Sequence, residues 1–309
     1  MPGAYEGKGM GNLFLNDLNQ ADALIHVIDV SGGTNEKGES ITPGSYNPSE
    51  DIRFLEFELD MWYLQILKKG WEKFSRTVKY EGKGIVRALA KQLSGLRVSE
   101  EMVKDSVKDL DEDCTKWNEQ DLLKLAGKLR KKSKPMIIAA NKTDVTGAKE
   151  NLSRIIEEFP EYIIFGCSSE SELALKEASR KKMIDYVPGE NHFEIKEKLN
   201  LNQMKALEFI KKNSLPTGVQ KILDVMVFDV LKKIAVHPGG VSKLEDSEGR
   251  VLPDCFLMDN GSTALDFAFR LHTDFGNKFI RAIDVKTKKT VGKDHILKHL
   301  DIVELIIGK

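Results

Sequence analysis

The chain has 309 residues, of which 41% are hydrophobic and 31% are charged, and its formal net charge is −1. This composition is that of an ordinary globular protein, long enough to bury a large core and to fold as two or three domains. It excludes a strongly basic protein that is drawn to nucleic acid by its overall charge, and no apolar run reaches the roughly 18 residues that cross a bilayer. Three widely spaced cysteines form neither a metal-binding spacing nor an even disulfide set, so we expect a reducing, cytoplasmic setting.

The N-terminal part of the chain predicts a loop, a helix and a strand, in that order. Glycines within residues 2–11 favour a loop that approaches phosphate, although a simple tail has the same composition. We predict a helix over residues 11–20. The nearly continuous apolar sequence of residues 23–30 is typical of a parallel strand that is covered on both faces.

A long segment, about residues 46–133, separates this strand from the next. Its apolar residues recur at helical spacing, and Asn47, Ser99 and Asn118 are suited to begin three helices because their side chains can cap free backbone N–H groups. The segment is far too long for a loop, so we predict a helical arm. The alternative is that these helices complete the main core, since one apolar face suits both arrangements.

The second predicted strand, residues 135–140, leads directly into an Asn-Lys-x-Asp box formed by Asn141, Lys142, Thr143 and Asp144. Guanine presents N1–H and an exocyclic amino group on one edge, and the Asp144 carboxylate can accept both, whereas adenine lacks this pair of donors. Losing a charge-assisted hydrogen bond costs about 1.5–3 kcal/mol, which gives at least tenfold discrimination. We expect Asn141 to bind the other edge of the base and the aliphatic stem of Lys142 to cover the ring. A chance match in a turn is the alternative, but open α/β sheets bind ligands at the carboxyl ends of their strands, as here.

The third predicted strand, residues 162–166, ends in a small polar turn. Backbone N–H groups of this turn, at Ser168, Ser169 and Glu170, are placed to approach the O6 atom of guanine. A compatible alternative is a helix cap in which Ser169 and Glu172 form a capping box. Helices are predicted after the second and third strands, over residues 147–158 and 172–183.

The pattern changes from about residue 233. Short apolar runs around a helix that Ser262 or Thr263 can cap predict a small α+β domain. Basic runs at residues 130–134, 180–182 and 286–289 are candidates for contact with RNA phosphates, although a solvated surface is the more common role of such runs.

Several kinds of site have no support in the sequence. No P-loop spacing, Gly-x-x-x-x-Gly-Lys-Ser/Thr, occurs in the 309 residues, and neither a nucleophile–histidine pair nor a metal cluster is evident. His26 lies inside an apolar strand and is expected to be a core histidine. We therefore assign no catalytic residue and no metal ligand.

The order of these motifs resembles the YchF family of Obg-related GTPases. The resemblance starts with Pro-Gly-Ala-x-Glu-Gly-x-Gly at residues 2–9 and Asp-Leu-Asn-Gln-Ala-Asp-Ala at residues 17–23, and continues through the arm, the base-reading box and the Ser-x-x-x-Glu-Leu turn of residues 168–173. Residues 249–254, 261–268 and 272–276 resemble its C-terminal TGS domain. Because position 144 is Asp, where many members have Glu and prefer ATP, the chain is similar to the GTP-type, archaeal-looking branch.

The resemblance implies an α/β fold: a P-loop-NTPase-like G domain (residues 1–232) lacking its first strands, with a helical, coiled-coil insertion, followed by a C-terminal β-grasp TGS domain (residues 233–309). It also implies GTP and Mg²⁺ as cofactors and a ribosome or RNA as partner, with neither a membrane nor DNA expected. In the family a P-loop, a switch segment and an Asp-x-x-Gly motif precede the position of Met1, so we expect negligible GTP hydrolysis and low stability from the chain as written. Two hypotheses remain at this point: a ribosome-linked GTPase of which this sequence lacks the first part, and a non-hydrolysing ribosome- or RNA-binding protein with a relic guanine pocket.

Overall fold

A computed structural model describes residue 18 and residues 20–82, 84–246 and 248–308 of the chain. The chain divides into two compact units between Leu223 and Asp224. None of the helices in the described residues is both long and apolar enough to cross a membrane.

The first unit contains a parallel sheet of three strands in the order β1-β2-β3. These strands are β1 (Leu24–Asp29), β2 (Met136–Asn141) and β3 (Ile163–Gly166). Five of the six residues of β2 are buried, which explains its continuous apolar sequence. All three predicted strands are confirmed, whereas the helix predicted over residues 11–20 lies outside the described residues except at Leu18 and Gln20.

Five helices form an arm between β1 and β2. They are α1 (Ser49–Lys68), α2 (Trp71–Tyr80), α3 (Ile85–Gln92), α4 (Glu100–Ser106) and α5 (Glu119–Ser133). The arm has its own buried core, in which the rings of Trp71 and Trp117 stack with centroids 5.5 Å apart. Ser99 and Asn118 cap helices as predicted, but Pro48, rather than Asn47, precedes the first turn of α1.

Helix α1 belongs both to the arm and to the main core. Ile52 packs in the core of the sheet, and Leu59 packs beside the first residues of β1 and β2. Further along the same helix, Tyr63 and Leu67 enter the core of the arm. The alternative of helices completing the main core therefore holds for the first half of α1.

Helices α6 (Ala148–Glu158) and α7 (Ser169–Arg180) follow β2 and β3. Helix α7 begins earlier than predicted, directly at the end of the polar turn. The rest of the unit, which sequence patterns did not predict, consists of a short strand pair and two helices: β4 (Ile184–Asp185), β5 (Glu194–Ile195), α8 (Leu201–Asn213) and α9 (Val219–Asp224).

The second unit is a β-grasp fold. Its five strands lie in the order β7-β6-β10-β8-β9, with β10 parallel to β6 and antiparallel to β8. Phe267 and Ala268 of its main helix are fully buried, and Phe267 packs with residues of the sheet. Thr263 caps this helix through a capping box with Asp266, as its sequence predicted. The elements are β6 (Lys233–Pro238), β7 (Phe256–Asp259), α10 (Ala264–Leu271), α11 (Thr273–Asn277), β8 (Phe279–Asp284), β9 (Lys289–Val291) and β10 (Asp301–Ile307).

Candidate functional site

The carboxyl ends of the three parallel strands bring the predicted site residues to one edge of the sheet. Asp29 at the end of β1 lies in register with Asn141 at the end of β2, and Ala140 lies in register with Gly166 at the end of β3. Side chains that follow these strands therefore meet at one edge, although they are more than 20 residues apart along the chain. This is the position at which open α/β sheets bind ligands.

Asn141 joins the base-reading box to the polar turn after β3. Its Oδ1 atom accepts a hydrogen bond from the backbone N–H of Ser169 at 2.9 Å. Thr143 makes a second connection, because its backbone N–H and its hydroxyl donate to the carbonyl of Cys167 at 3.2 and 3.1 Å. The base-reading box and the polar turn, which the sequence predicted as separate parts of a site, are thus connected to each other.

Lys142 is held in a left-handed backbone conformation with φ 68°. Its Nζ atom donates to Asp29 Oδ2 at 2.7 Å and lies 3.2 Å from the hydroxyl of Thr34, so the aliphatic stem is stretched along the site edge. Burial raises the pKa of Asp29, but hydrogen bonds from Lys142, Ser31 and Thr34 outweigh this effect and hold the pKa below its usual range. Asp29 is a site residue that sequence reasoning missed. The position of Asp29 at the carboxyl end of a predicted strand could have identified it as a candidate.

The side chain of Asp144 lines a cavity of about 250 Å³ beside the N-terminus of α6. Asp144 is partly exposed, and among the residues that the structure describes its carboxylate has no hydrogen-bond or ion-pair partner. Asn213, at the end of α8, lines the same cavity from the unpredicted part of the unit. A larger cavity of about 910 Å³ lies in the arm beside Trp71, and its lining includes none of the predicted site residues.

The polar turn after β3 is fixed more firmly than the sequence suggested. Ser168 is buried, its backbone N–H donates to the carbonyl of Thr217 at 2.9 Å, and its hydroxyl bonds that of Ser171. The N–H groups of Ser168 and Ser169 therefore both have protein acceptors, while Glu170 is exposed at the start of α7. The alternative capping box is wrong, because Ser168 precedes the helix without a side-chain cap bond and the carboxylate of Glu172 bonds Tyr186 and Thr217.

The basic run at residues 130–134 is not a free cationic surface. Arg130 is buried and pairs with Glu56 and Asp60, and Lys134 is buried with its Nζ atom on the carbonyl of Ala21. Arg130 and Lys134 are therefore not available to RNA phosphates, whereas an RNA contact through the exposed Lys131 and Lys132 stays a prediction. The runs at residues 180–182 and 286–289, by contrast, are exposed.

Family models match most of the chain beyond β1 and the arm. Residues 139–240, which contain the Asn-Lys-x-Asp box, match the family described as Obg-like GTPase YGR210-like, G4 motif-containing domain, and residues 247–307 match the TGS domain. The chain is also 48% identical to an uncharacterized GTP-binding protein of Methanocaldococcus jannaschii, over 99% of this chain and 78% of that protein. The chain belongs to the Obg-like GTPase family.

Two further comparisons place this Obg-like chain among its relatives. It is 30% identical to the ribosome-binding ATPase YchF of Bacillus subtilis, over 59% of this chain and 49% of that one. A solved structure of a GTP-binding protein from Pyrococcus horikoshii is 40% identical, with a TM-score of 0.69 over 96% of this chain and 81% of that chain. These similarities confirm the G domain and the C-terminal TGS domain that the motifs predicted.

Proposed function

We propose that this Obg-like chain binds a guanine nucleotide, GTP or GDP, at the carboxyl edge of the sheet in its first unit, with Asp144 as the base reader. The observation that carries the proposal is the state of the Asp144 carboxylate, which faces a cavity and has no protein partner within the described residues. Its neighbours Asn141, Lys142 and Thr143 are all tied into the site edge. A carboxylate left free on a fixed frame is suited to accept the two hydrogens that distinguish guanine from adenine.

The neighbouring residues take supporting roles in this proposal. Asn141 bridges the base-reading box and the polar turn, and the half-exposed stem of Lys142 offers an apolar surface to a ring face. Ser169 N–H donates to Asn141, so the exposed start of α7 at Glu170 is the part of the turn that is suited to approach the O6 atom of guanine. Ser168 is buried and acts by holding this turn in place.

The described residues supply the part of the site that recognises the base. They contain no group of three or more His, Cys, Asp or Glu residues that could hold a metal ion. We therefore assign no Mg²⁺ ligand and no catalytic residue, and the proposal concerns nucleotide recognition.

We further propose that the chain acts at a ribosome in the cytoplasm. The name of the Bacillus subtilis relative and the presence of a TGS domain support a ribosome as partner. The exposed basic runs at residues 180–182 and 286–289 are suited to RNA phosphates, because cations on an open surface can replace the counterions of the nucleic-acid backbone. The free thiols of buried Cys114 and Cys167 suit a reducing compartment.

Competition binding tests the nucleotide proposal. A fluorescent guanine nucleotide is bound to the 309-residue chain and displaced with GDP or with ADP. We expect GDP to bind at least tenfold more tightly, since about 1.4 kcal/mol of base recognition gives that ratio. Glu72→Gln, which alters an acid in the arm whose side chain is 89% exposed, is the control and should leave the ratio unchanged. Equal affinity for GDP and ADP would contradict the proposal.

A further inference from the structure

The chain segment between α8 and α9, residues 214–218, lies directly behind the polar turn of the nucleotide site. The carbonyl of Thr217 accepts the N–H of Ser168 at 2.9 Å. Gly218 has φ +81° and packs so closely on Gly166 and Cys167 that a Cβ atom there would collide with the Gly166 carbonyl. The turn therefore rests against this segment.

A chain of buried hydroxyl groups joins the same two pieces of structure. The hydroxyl of Ser171 lies 2.9 Å from that of Ser168 and 2.9 Å from that of Ser214. All three serines are at most 6% exposed. Buried hydroxyls of this kind fix a geometry, because each loses a bond if its neighbour moves.

The carboxylate of Glu172 is the centre of the contact. It is 6% exposed and accepts hydrogen bonds from the hydroxyl of Thr217 at 2.6 Å and from that of Tyr186 at 2.8 Å. Burial, together with the hydrogen bond to Glu172, raises the pKa of Tyr186 to about 12, so Tyr186 remains a donor at neutral pH. A buried carboxylate keeps its position only while such donors are in place.

The front of the turn is attached to the base-reading box. Ser169 N–H bonds Asn141, and the Cys167 carbonyl accepts two bonds from Thr143. A shift of the turn would therefore reach Asn141 and Thr143, which flank Lys142 in the base-reading box. The segment behind the turn is thus connected to base recognition through a continuous series of hydrogen bonds.

We propose that Thr217 and Glu172 are positioning residues that clamp the Ser168–Ser169 turn and thereby set the selectivity of the site for guanine. This inference rests on the proposed function and extends it to residues that do not touch the nucleotide. Thr217 did not stand out in the sequence, and Glu172 was considered there only as part of the polar turn and as a helix-capping residue. Two independent measurements report on this clamp: the position of the turn and the affinity of the chain for guanine nucleotide.

Thr217→Val tests the clamp, because it removes the hydroxyl from Glu172 but keeps the side-chain shape and the carbonyl that binds Ser168. Cys167 lies in the turn and is 3% exposed, so its alkylation by iodoacetamide reports the position of the turn with or without nucleotide. Cys114, 4% exposed in the core of the arm, is the internal reference for general unfolding. Labelling of each cysteine is followed by peptide mass spectrometry.

We expect Thr217→Val to raise the labelling rate of Cys167 at least tenfold, to leave that of Cys114 unchanged, and to weaken GDP binding about tenfold. Thr217→Ser, which restores the hydroxyl, should behave as the wild type within a factor of two. Leu89→Ala, a cavity variant in the arm core, is the matched control for lost stability and should leave GDP affinity unchanged. A merely structural role for Thr217 would move both cysteines together and would not affect nucleotide affinity beyond that control.

The outcomes separate the two proposals. If Cys167 is labelled in Thr217→Val at the same rate as in the wild type, the proposed clamp is wrong, and the proposed guanine site is not affected. A wild-type chain without preference for GDP over ADP overturns the guanine site, while the labelling ratio of Cys167 to Cys114 still decides whether the turn is clamped. Should Thr217→Val fail to fold, Tyr186→Phe removes the other hydroxyl from Glu172. It should raise Cys167 labelling severalfold, and an unchanged rate there also overturns the clamp.

Discussion

Replacing Arg130 should destabilise the protein strongly, because this buried side chain joins α5 to α1 and also contacts Tyr162 beside the sheet. The guanidinium is 1% exposed and bonds Asp60 at 2.7 Å, Glu56 at 3.0 Å and the hydroxyl of Tyr162 at 3.3 Å. Methionine at this position keeps the length of the stem and removes the charge. Two carboxylates on α1 would then lose their shared cation.

The size of the loss follows from the burial of the three groups. Removing one partner of a buried ion pair costs about 3–5 kcal/mol. The carboxylates of Glu56 and Asp60 keep 21% and 23% of their side-chain surface, and Lys131 still pairs with Glu56 at 2.9 Å. These two facts reduce the expected loss in the free energy of unfolding to about 2–4 kcal/mol for Arg130→Met.

Urea unfolding at pH 7, followed by tryptophan fluorescence, measures this loss, and all three tryptophans lie in the arm. Arg76→Met is the matched control, because Arg76 and its partner Glu72 are 78% and 89% exposed and such pairs contribute about 0–1 kcal/mol. If Arg130→Met is as stable as Arg76→Met, the claim that the buried ion pairs of Arg130 stabilise the protein is wrong.

The effect of Arg130→Met should also depend on pH. Burial raises the pKa of Glu56, but bonds from Lys131, Tyr162 and Arg130 outweigh it and keep the pKa below its usual range. A carboxyl with a lowered pKa contributes stability above its unfolded pKa of about 4.3 and loses that contribution as the pH falls through the folded value. The gap between wild type and variant should therefore narrow below about pH 4.

Three further predictions concern other parts of the molecule. Burial lowers the pKa of His26 from 6.5 to about 4, so the unfolded chain takes up a proton first as the pH falls, and the wild type should lose about 1.5 kcal/mol of stability between pH 6.5 and pH 5 for this reason. His26→Leu should not show this loss in urea titrations at the two pH values, and equal losses in both proteins would contradict the prediction. Gly218→Ala should lower GDP affinity at least tenfold in the competition assay, because its methyl group collides with the Gly166 carbonyl, whereas Gly70→Ala, with a similar φ and open space, should not. Exchanging the three lysines of residues 286–289 for glutamate should reduce co-sedimentation with ribosomes at low salt, and unchanged sedimentation would remove this run from the proposed ribosome contact.

Much of the fold could be predicted from local patterns, because the strands beside the site are short apolar runs and the arm helices carry their own caps. Asn118 and Thr263 illustrate this, since each begins a helix with a capping box that is complete within four residues. The base-reading box was visible for the same reason: its residues are adjacent in sequence and follow directly on β2.

The remainder depended on contacts between distant residues. Residues 184–232 gave no periodic pattern strong enough to predict α8 or the segment behind the turn, yet Thr217 bonds Glu172 across 45 positions of the chain. The positive charges of residues 130–134 are visible in the sequence, but the partners of Arg130, Glu56 and Asp60, lie about 70 positions away. The sequence therefore could not show that Arg130 pairs inside the protein. Asp29 was passed over because its role is defined by Lys142, which the sheet brings to it from 113 positions away.

The exchange Asp144→Asn tests the central claim, that one carboxylate at the sheet edge reads guanine. The amide would lose the acceptor for the exocyclic amino group of guanine and gain a donor that suits the 2-oxo group of xanthine. Competition between GDP and XDP against the same fluorescent nucleotide gives the ratio of the two affinities. We predict that the wild type prefers GDP and that Asp144→Asn prefers XDP, each by about tenfold, which corresponds to about 1.4 kcal/mol. An unchanged preference for GDP in Asp144→Asn would contradict the account.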